Sequence, residues 1–174
     1  MNDKQISNPL NTPISSLTSA VSGACQLQHA SALMGLSRRR LDKDDVFRLI
    51  DSRQIRWAWD IARKNARRPE IRIWRQSLLD YLAQENGPAA PTGDNLSADQ
   101  VIESILPKPA AITLRTATVA AGDLRRRFLC CQRHLRGLIA DGELWSGSPQ
   151  ASMKTLAIFY QSTFDFLRRR CLSL

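Results

Sequence analysis

Apolar residues along this chain recur at two spacings, and the switches between them mark its elements. Val46, Leu49 and Ile50 repeat at helical spacing behind Asp42, an N-cap residue type, with Asp45 at the third helical position. The period then shortens. In residues 55–61 (IRWAWDI), Ile55, Trp57, Trp59 and Ile61 alternate with Arg56, Ala58 and Asp60, which predicts a half-buried strand. Residues 62–69 (ARKNARRP) read as a turn, and residues 70–74 (EIRIW) as the returning strand. A closing helix opening at Gln76 or Ser77 carries Leu78, Leu79 and Leu82. An earlier, weaker helical pattern holds Leu17, Val21, Leu27 and Leu33 and ends near Leu36.

The same order returns further on. Leu49-Ile50 matches Leu138-Ile139 and Ile55 matches Leu144, at an offset of 89. Residues 73–82 (IWRQSLLDYL) match residues 158–167 (IFYQSTFDFL) at an offset of 85, with Ile, Gln, Ser, Asp and Leu identical in register. The change of offset falls where a loop of variable length would lie, so the chain reads as an internal duplication. In the second copy the first helix ends near Leu129, and Gly142 stands where the second should stop, as Ser52-Arg53 does in the first. Helix, turn, helix, hairpin, helix is the order of a small winged helix-turn-helix. The expected fold is mainly α with short β-hairpins, two such modules in tandem.

Punctuation sets the boundaries. Residues 1–27 begin polar, with Pro9 and Pro13, and are expected to form a flexible tail. Residues 28–84 form the first module and residues 110–174 the second. Between them, residues 85–109 read as a linker: QENGPAAPTGDNL is rich in Pro, Gly and Asn, then Ser97 caps a short amphipathic helix with Gln100 completing a capping box. Pro107 and Pro109 end it.

Charge gives this frame a direction. The 174 residues carry a formal net charge of +9. Residues 37–84 hold 13 basic and 7 acidic groups, residues 85–124 hold 2 and 5, and residues 125–174 hold 9 and 3. Two basic blocks thus flank a mildly acidic spacer, and 20 of the 25 cations are Arg, whose planar fork suits phosphate and guanine edges. A polyanion, above all nucleic acid, is the expected partner. Cysteines at 25, 130, 131 and 171 include no Cys-x-x-Cys and the chain has 2 histidines, so neither a metal centre nor any cofactor is expected. No Gly-rich phosphate loop or catalytic constellation is present, His134 stands without a partner at motif spacing, and no enzymatic activity is expected. Without a spanning segment or signal sequence, the expected location is the cytoplasm, in association with the nucleoid, with no membrane partner.

The run of residues 133–144 (RHLRGLIADGEL), a variable hairpin, and then Ile158, Gln161-Ser162 and Phe166-Leu167 before three arginines resemble the winged helices of phage excisionases and MerR-type regulators. The resemblance implies that the helix before the Gly-Glu-Leu turn enters a DNA major groove while the wing touches the neighbouring backbone. It also implies a role as a recombination-directionality or architectural factor, or as a transcriptional regulator, with a recombinase or RNA polymerase as a further partner. The first copy departs from the pattern: Arg53 replaces the turn Gly, and its second helix region carries Asp42, Asp44, Asp45 and Asp51.

The candidate DNA contacts follow from both readings. Arg63, Lys64, Arg67, Arg68, Arg72 and Arg75 crowd the first hairpin with Arg56, and burial of the Trp and Ile face assigns them to the opposite face and the loop. Arg38, Arg39 and Arg40 precede the second helix of copy one, whose Lys43 and Arg48 are further candidates; Arg127 stands in the matching triplet of copy two. Gln132, Arg133 and Arg136 lie outward on the second copy's helix, with Lys154 on its hairpin. The expectation is that copy one chiefly grips phosphate and copy two chiefly reads bases of double-stranded DNA. Two other functions are open: a protein-interaction adaptor with basic docking faces, and a structured-RNA binder. Oligomerisation is open too, without a heptad seam to direct it.

Overall fold

The computed structural model describes residues 26–86, 96–107 and 117–173, so the expected N-terminal tail lies outside the described residues apart from Gln26 and Leu27. These residues form a mixed α/β structure of seven helices and two small antiparallel sheets. The first half runs β1 (Leu27–His29), α1 (Ala30–Leu36), α2 (Lys43–Asp51), β2 (Ala58–Asp60), β3 (Ile71–Trp74) and α3 (Arg75–Asn86). A short α4 (Ala98–Ile105) follows, and the second half runs β4 (Thr118–Ala120), α5 (Ala121–Phe128), α6 (Gln132–Ala140), β5 (Ala157–Phe159) and α7 (Tyr160–Arg170).

Local chemistry explains the helix ends. Asp42 accepts the Asp45 amide at 2.9 Å and Asp45 returns the contact at 3.0 Å, closing the capping box of α2. Ser97 and Gln100 do the same for α4. Gly142 leaves α6 with φ 73°, the left-handed turn for which glycine is suited. Arg53 ends α2 at the matching position with φ 58°, so the copy without glycine bends the same way.

Backbone hydrogen bonds repeat between the halves in the register of the sequence match. Ile55 N donates to Leu49 O at 2.9 Å, and Leu144 N to Leu138 O at 3.2 Å. Arg75 N donates to Gln26 O at 2.7 Å, and Tyr160 N to Ala117 O at 2.9 Å. Gln76 reaches Asp80 at 2.8 Å as Gln161 reaches Asp165 at 2.9 Å. In the sheets, Gln28 faces Ile73 and Val119 faces Ile158.

The strands correct the expected hairpins. β1 joins the β2–β3 pair to make a sheet of order β1-β3-β2. In the second half, β5 pairs with β4 rather than with a neighbour in residues 145–156, which contain no strand. Both additional strands have three residues, too few for an alternating pattern to register.

The halves do not have separate cores. Leu33, Val46, Ile50, Ile55, Ala58, Ile73, Leu78 and Leu82 pack within the first half. Leu27, Trp57, Trp59, Ile61 and Trp74 instead join Leu124, Phe128, Leu135, Leu138, Ile158 and Phe166 of the second. The three-stranded sheet is therefore covered on both faces, by its own helices and by the other half. α4 contributes Val101, Ile102 and Ile105 to this shared cluster, so residues 97–106 are part of the core and not a free spacer. Trp59 bridges Cys171 in antiparallel fashion, and Leu172 N donates to Ala58 O at 2.9 Å. Among the described residues, no helix is long and apolar enough to cross a membrane.

Candidate nucleic-acid interface

Exposed positive charge in the second half gathers near the start of α6 and, separately, at the end of α7, where Arg168 pairs with Asp99 and Arg169 and Arg170 with Glu143. Leu135 and Leu138 turn the inner face of α6 to the core, leaving Gln132 and Arg133 exposed in its first turn. The first-turn amides are free of intrahelical partners except where Cys131 Sγ accepts from His134 N at 3.4 Å. Beside this turn a cleft of about 420 Å³ is lined by Arg125, Arg126, Gln132, Met153 and Lys154, with the Asp123 carboxylate among them. Arg125 and Arg126 close α5, where cations suit the negative end of the helix dipole. Arg126 also pairs with Asp123, while Arg125 and Lys154 are exposed. Cations on two helices and a loop, beside the free amides of a helix start, can hold an anion as extended as a phosphodiester backbone.

The first half reaches this helix through the loop between β2 and β3. Ile61 O and Glu70 Oε2 lie 2.8 and 3.0 Å from Nε2 and Nδ1 of His134, so both ring nitrogens face acceptors. Further along, the Arg63 guanidinium forms a two-pronged pair with Asp141, each arm 2.8 Å. That pair raises Arg63 above its ordinary value and lowers Asp141 below its own, chiefly through their hydrogen bonds. Gly137 makes the crossing possible: a Cβ there would sit 2.5 Å from Arg63 Nε. The loop is thus fixed along α6, and its tip presents Lys64, Arg67 and Arg68 to solvent.

Several predicted contacts are engaged inside the protein. Arg72 is 2% exposed; Nε donates to Phe128 O at 2.8 Å and Nη2 to Leu129 O at 3.0 Å, with Glu70 2.7 Å from Nη2. It ties the sheet to the end of α5 and cannot reach a phosphate. Arg72 does lie across the sheet from Ile71 and Ile73, but on the same face as its cross-strand partner Trp59 and not opposite the tryptophans as expected, and that face is covered by the second half. Arg63 is held by Asp141 at the helix rather than extended from a wing. Arg136 donates to Pro149 O at 3.1 Å and Ala151 O at 2.6 Å, so its guanidinium fastens a loop instead of facing a base. Arg127 is half-buried and donates to Ile105 O at 3.2 Å. Arg75 is half-buried at the start of α3 with Nε enclosed.

The remaining cations lie elsewhere on the surface. Arg38, Arg39 and Arg40 are exposed between α1 and α2, where Glu85 accepts from the Arg38 amide at 3.1 Å. Lys43 and Arg48 are exposed on α2, Arg48 paired with Asp45 at 3.0 Å. The first half has its own version of the cleft, about 190 Å³, lined by Met34, Val46, Phe47, Pro69 and Ile71 with Lys43 beside them. Glu70, Arg72 and His29 line it too, so with Lys43 it mixes both signs of charge with apolar side chains, whereas its counterpart holds three cations against Asp123. Of the Arg125-Arg126-Arg127 triplet, expected as a whole to lie near a backbone, only Arg127 is among the expected contacts; Leu124 and Phe128 define the inner face of α5, which leaves 125 and 126 outward and draws 127 inward. Burial pushes the Cys130 thiol up to about 12, so it is a packing residue and not a thiolate nucleophile. No known protein family, curated protein or solved structure matches the chain.

Proposed function

We propose that this protein binds double-stranded DNA through two fused winged helix-turn-helix repeats, the second of which presents the principal face. One observation carries the reading: Arg125, Arg126, Gln132 and Lys154 converge on the cleft at the start of α6, with Arg133 exposed in the same turn. The strand–helix–helix–strand–helix order that the halves share, the first with β2 added, supports the module assignment, since it makes α6 the helix that enters a groove. Because residues 61–70 are fastened to α6, the cationic tip at Lys64, Arg67 and Arg68 serves as a wing beside that helix. The two halves act as one rigid footprint and do not reach for successive grooves on a tether. Gln132 and Arg133 then read base edges, and Arg125, Lys154 and the tip hold phosphates. The biological role that goes with the resemblance is a recombination-directionality or architectural factor, or a transcriptional regulator.

Anisotropy of a labelled random duplex, titrated with the full chain over a range of salt, tests this reading. Binding should weaken linearly on logarithmic axes, and unlabelled duplex DNA should compete better than duplex RNA, whose deep, narrow major groove excludes a helix. Equal competition by RNA would assign the face to structured RNA, and salt-independent or absent binding would remove nucleic acid altogether.

A further inference from the structure

His134 stands where the two halves meet, and both of its ring nitrogens lie against oxygens that accept. Ile61 O is 2.8 Å from Nε2 and Glu70 Oε2 is 3.0 Å from Nδ1. A carbonyl has no proton to give. Glu70 Oε1 accepts from Arg72 Nη2 at 2.7 Å, and that guanidinium holds the group as a carboxylate, so a proton between Glu70 and His134 belongs to the ring. A neutral imidazole carries one N–H and can serve one of these oxygens; in either tautomer a lone pair meets the other. The imidazolium donates to both. With the side chain 12% exposed, little water reaches the ring to mend an unmade bond.

We propose that His134 is a proton-dependent clamp, which as a cation holds the neck of residues 61–70 to α6 by two hydrogen bonds and on losing its proton keeps one. The neck itself stays closed, because the Asp60 carboxylate accepts from Ala62 N at 2.9 Å and from Glu70 N at 2.8 Å. What changes is its hold on α6. Imidazole is the side chain that changes charge between about pH 5 and 8. The neighbouring groups keep their charge over that range. Arg63 and Asp141 share a cleft of about 300 Å³ with His134, and their hydrogen bonds raise the one and lower the other, with Lys64 adding its pull on Asp141. Burial keeps the Cys130 thiol protonated. His29, near the same Glu70 and Arg72, is lowered by burial and then by Arg72, so it favours its neutral form. With Arg63 still held by Asp141, the loop shifts against α6 and does not leave it. The clamp does not rest on DNA binding; on that reading, the shift moves the tip at Lys64, Arg67 and Arg68 and weakens duplex binding as pH rises.

The test contains no nucleic acid, so its outcome is independent of the duplex titration. The chain has 2 histidines, and long-range proton–nitrogen NMR of the full chain, with His29→Ala to assign the other imidazole, reports the protons on His134 directly. As pH rises from about 5 to 8, the ring should pass from two protonated nitrogens to one. The amides of residues 61–70 should gain motion, read by nitrogen relaxation, with the same midpoint. Glu70→Gln supplies an inversion: the new carbonyl still accepts from Arg72, and the new amide donates to Nδ1 of a neutral ring. In that variant the loop should be held at the alkaline end and gain motion as pH falls. A His134 ring that does not titrate in this range overturns the proposal. So do loop amides that ignore its titration, or a Glu70→Gln chain that loosens in the wild-type direction.

Discussion

The second helices of the two repeats, α2 and α6, share a backbone frame and differ in what they present. α2 opens on Asp42, Asp44 and Asp45, which cap its start and place carboxylates there. α6 opens on Cys131, Gln132 and Arg133 with no acid in its first turn. The clefts beside them differ in charge as well: Lys43 and Arg72 offset by Glu70 among apolar side chains beside α2, and Arg125, Arg126 and Lys154 against Asp123 beside α6. A helix start rich in carboxylates is well capped and poorly suited to a phosphate; one capped weakly by sulfur leaves its amides available. On the proposed reading the first repeat contributes chiefly stability and the second chiefly binding.

The sharpest way to break that division is Arg72→Ala. Position 72 in the first sheet corresponds to Ala157 in the second, as the pairings His29–Arg72 and Ala120–Ala157 show. The substitution makes the repeats alike there, but removes the buried donor shared by Phe128 O, Leu129 O and Glu70 in the junction. A loss of about 3 kcal/mol in urea unfolding is expected, and a loss below about 1 kcal/mol would show that the junction does not depend on this group.

Next in size is a pair of double mutants that separates the two clefts. Arg125→Ala with Lys154→Ala should weaken duplex binding roughly tenfold and lower the salt slope by about 0.9 for each phosphate no longer neutralised. Lys43→Ala with Arg48→Ala, in the first repeat, should change neither. Equal effects would erase the contrast between α2 and α6.

A smaller effect is expected at the helix exits. Arg53→Gly gives the first repeat the turn residue of the second and relieves a left-handed non-glycine conformation, so the melting temperature should rise, by about 0.5–1 kcal/mol of stability. An unchanged or lower value would mean that the Arg53 side chain contributes more than its backbone costs.

The smallest concerns His29, whose counterpart is Ala120. Burial, and then the Arg72 cation, lower its proton affinity even though the residue keeps an exposed edge. The unfolded chain binds this proton near pH 6.5 and the folded chain only below that. Stability from this site is therefore full above pH 6.5 and is lost as pH falls through the lowered folded value. His29→Ala should flatten the wild-type decline over that window in parallel melts.

Much of this architecture is legible in the residues themselves. Asp42, Ser97 and Gln100 cap the helices that their positions predict, because capping is a contact within four residues. The likeness of the two halves is legible because the Gln-Ser-x-x-Asp register occurs in both, and its Gln–Asp contact forms in each. What escapes such a reading lies in contacts between distant segments. Alternation in residues 70–74 tells which side Arg72 points to, but not that α5 ends against it, 56 residues away in sequence. α4 reads as a linker helix because prolines surround it, although Val101, Ile102 and Ile105 already form an apolar stripe that calls for a covering surface. Arg136 faces outward on a helical wheel, and only the path of residues 149–151 decides that its guanidinium is occupied.

The tryptophan face of the first sheet has a consequence for how the chain is made. The cluster around Leu33, Ile50, Ile73 and Leu82 is complete once residue 82 has emerged from a ribosome. The second half has no such independence, for Leu135, Leu138, Ile158 and Phe166 collect against Trp57, Trp59 and Trp74. During synthesis the early half therefore serves as a mould, holding an aromatic wall open until the later half is cast against it. A nascent chain stalled before α7 would carry that wall uncovered, which makes the interval between residues 82 and 170 the one in which a chaperone has something to hold.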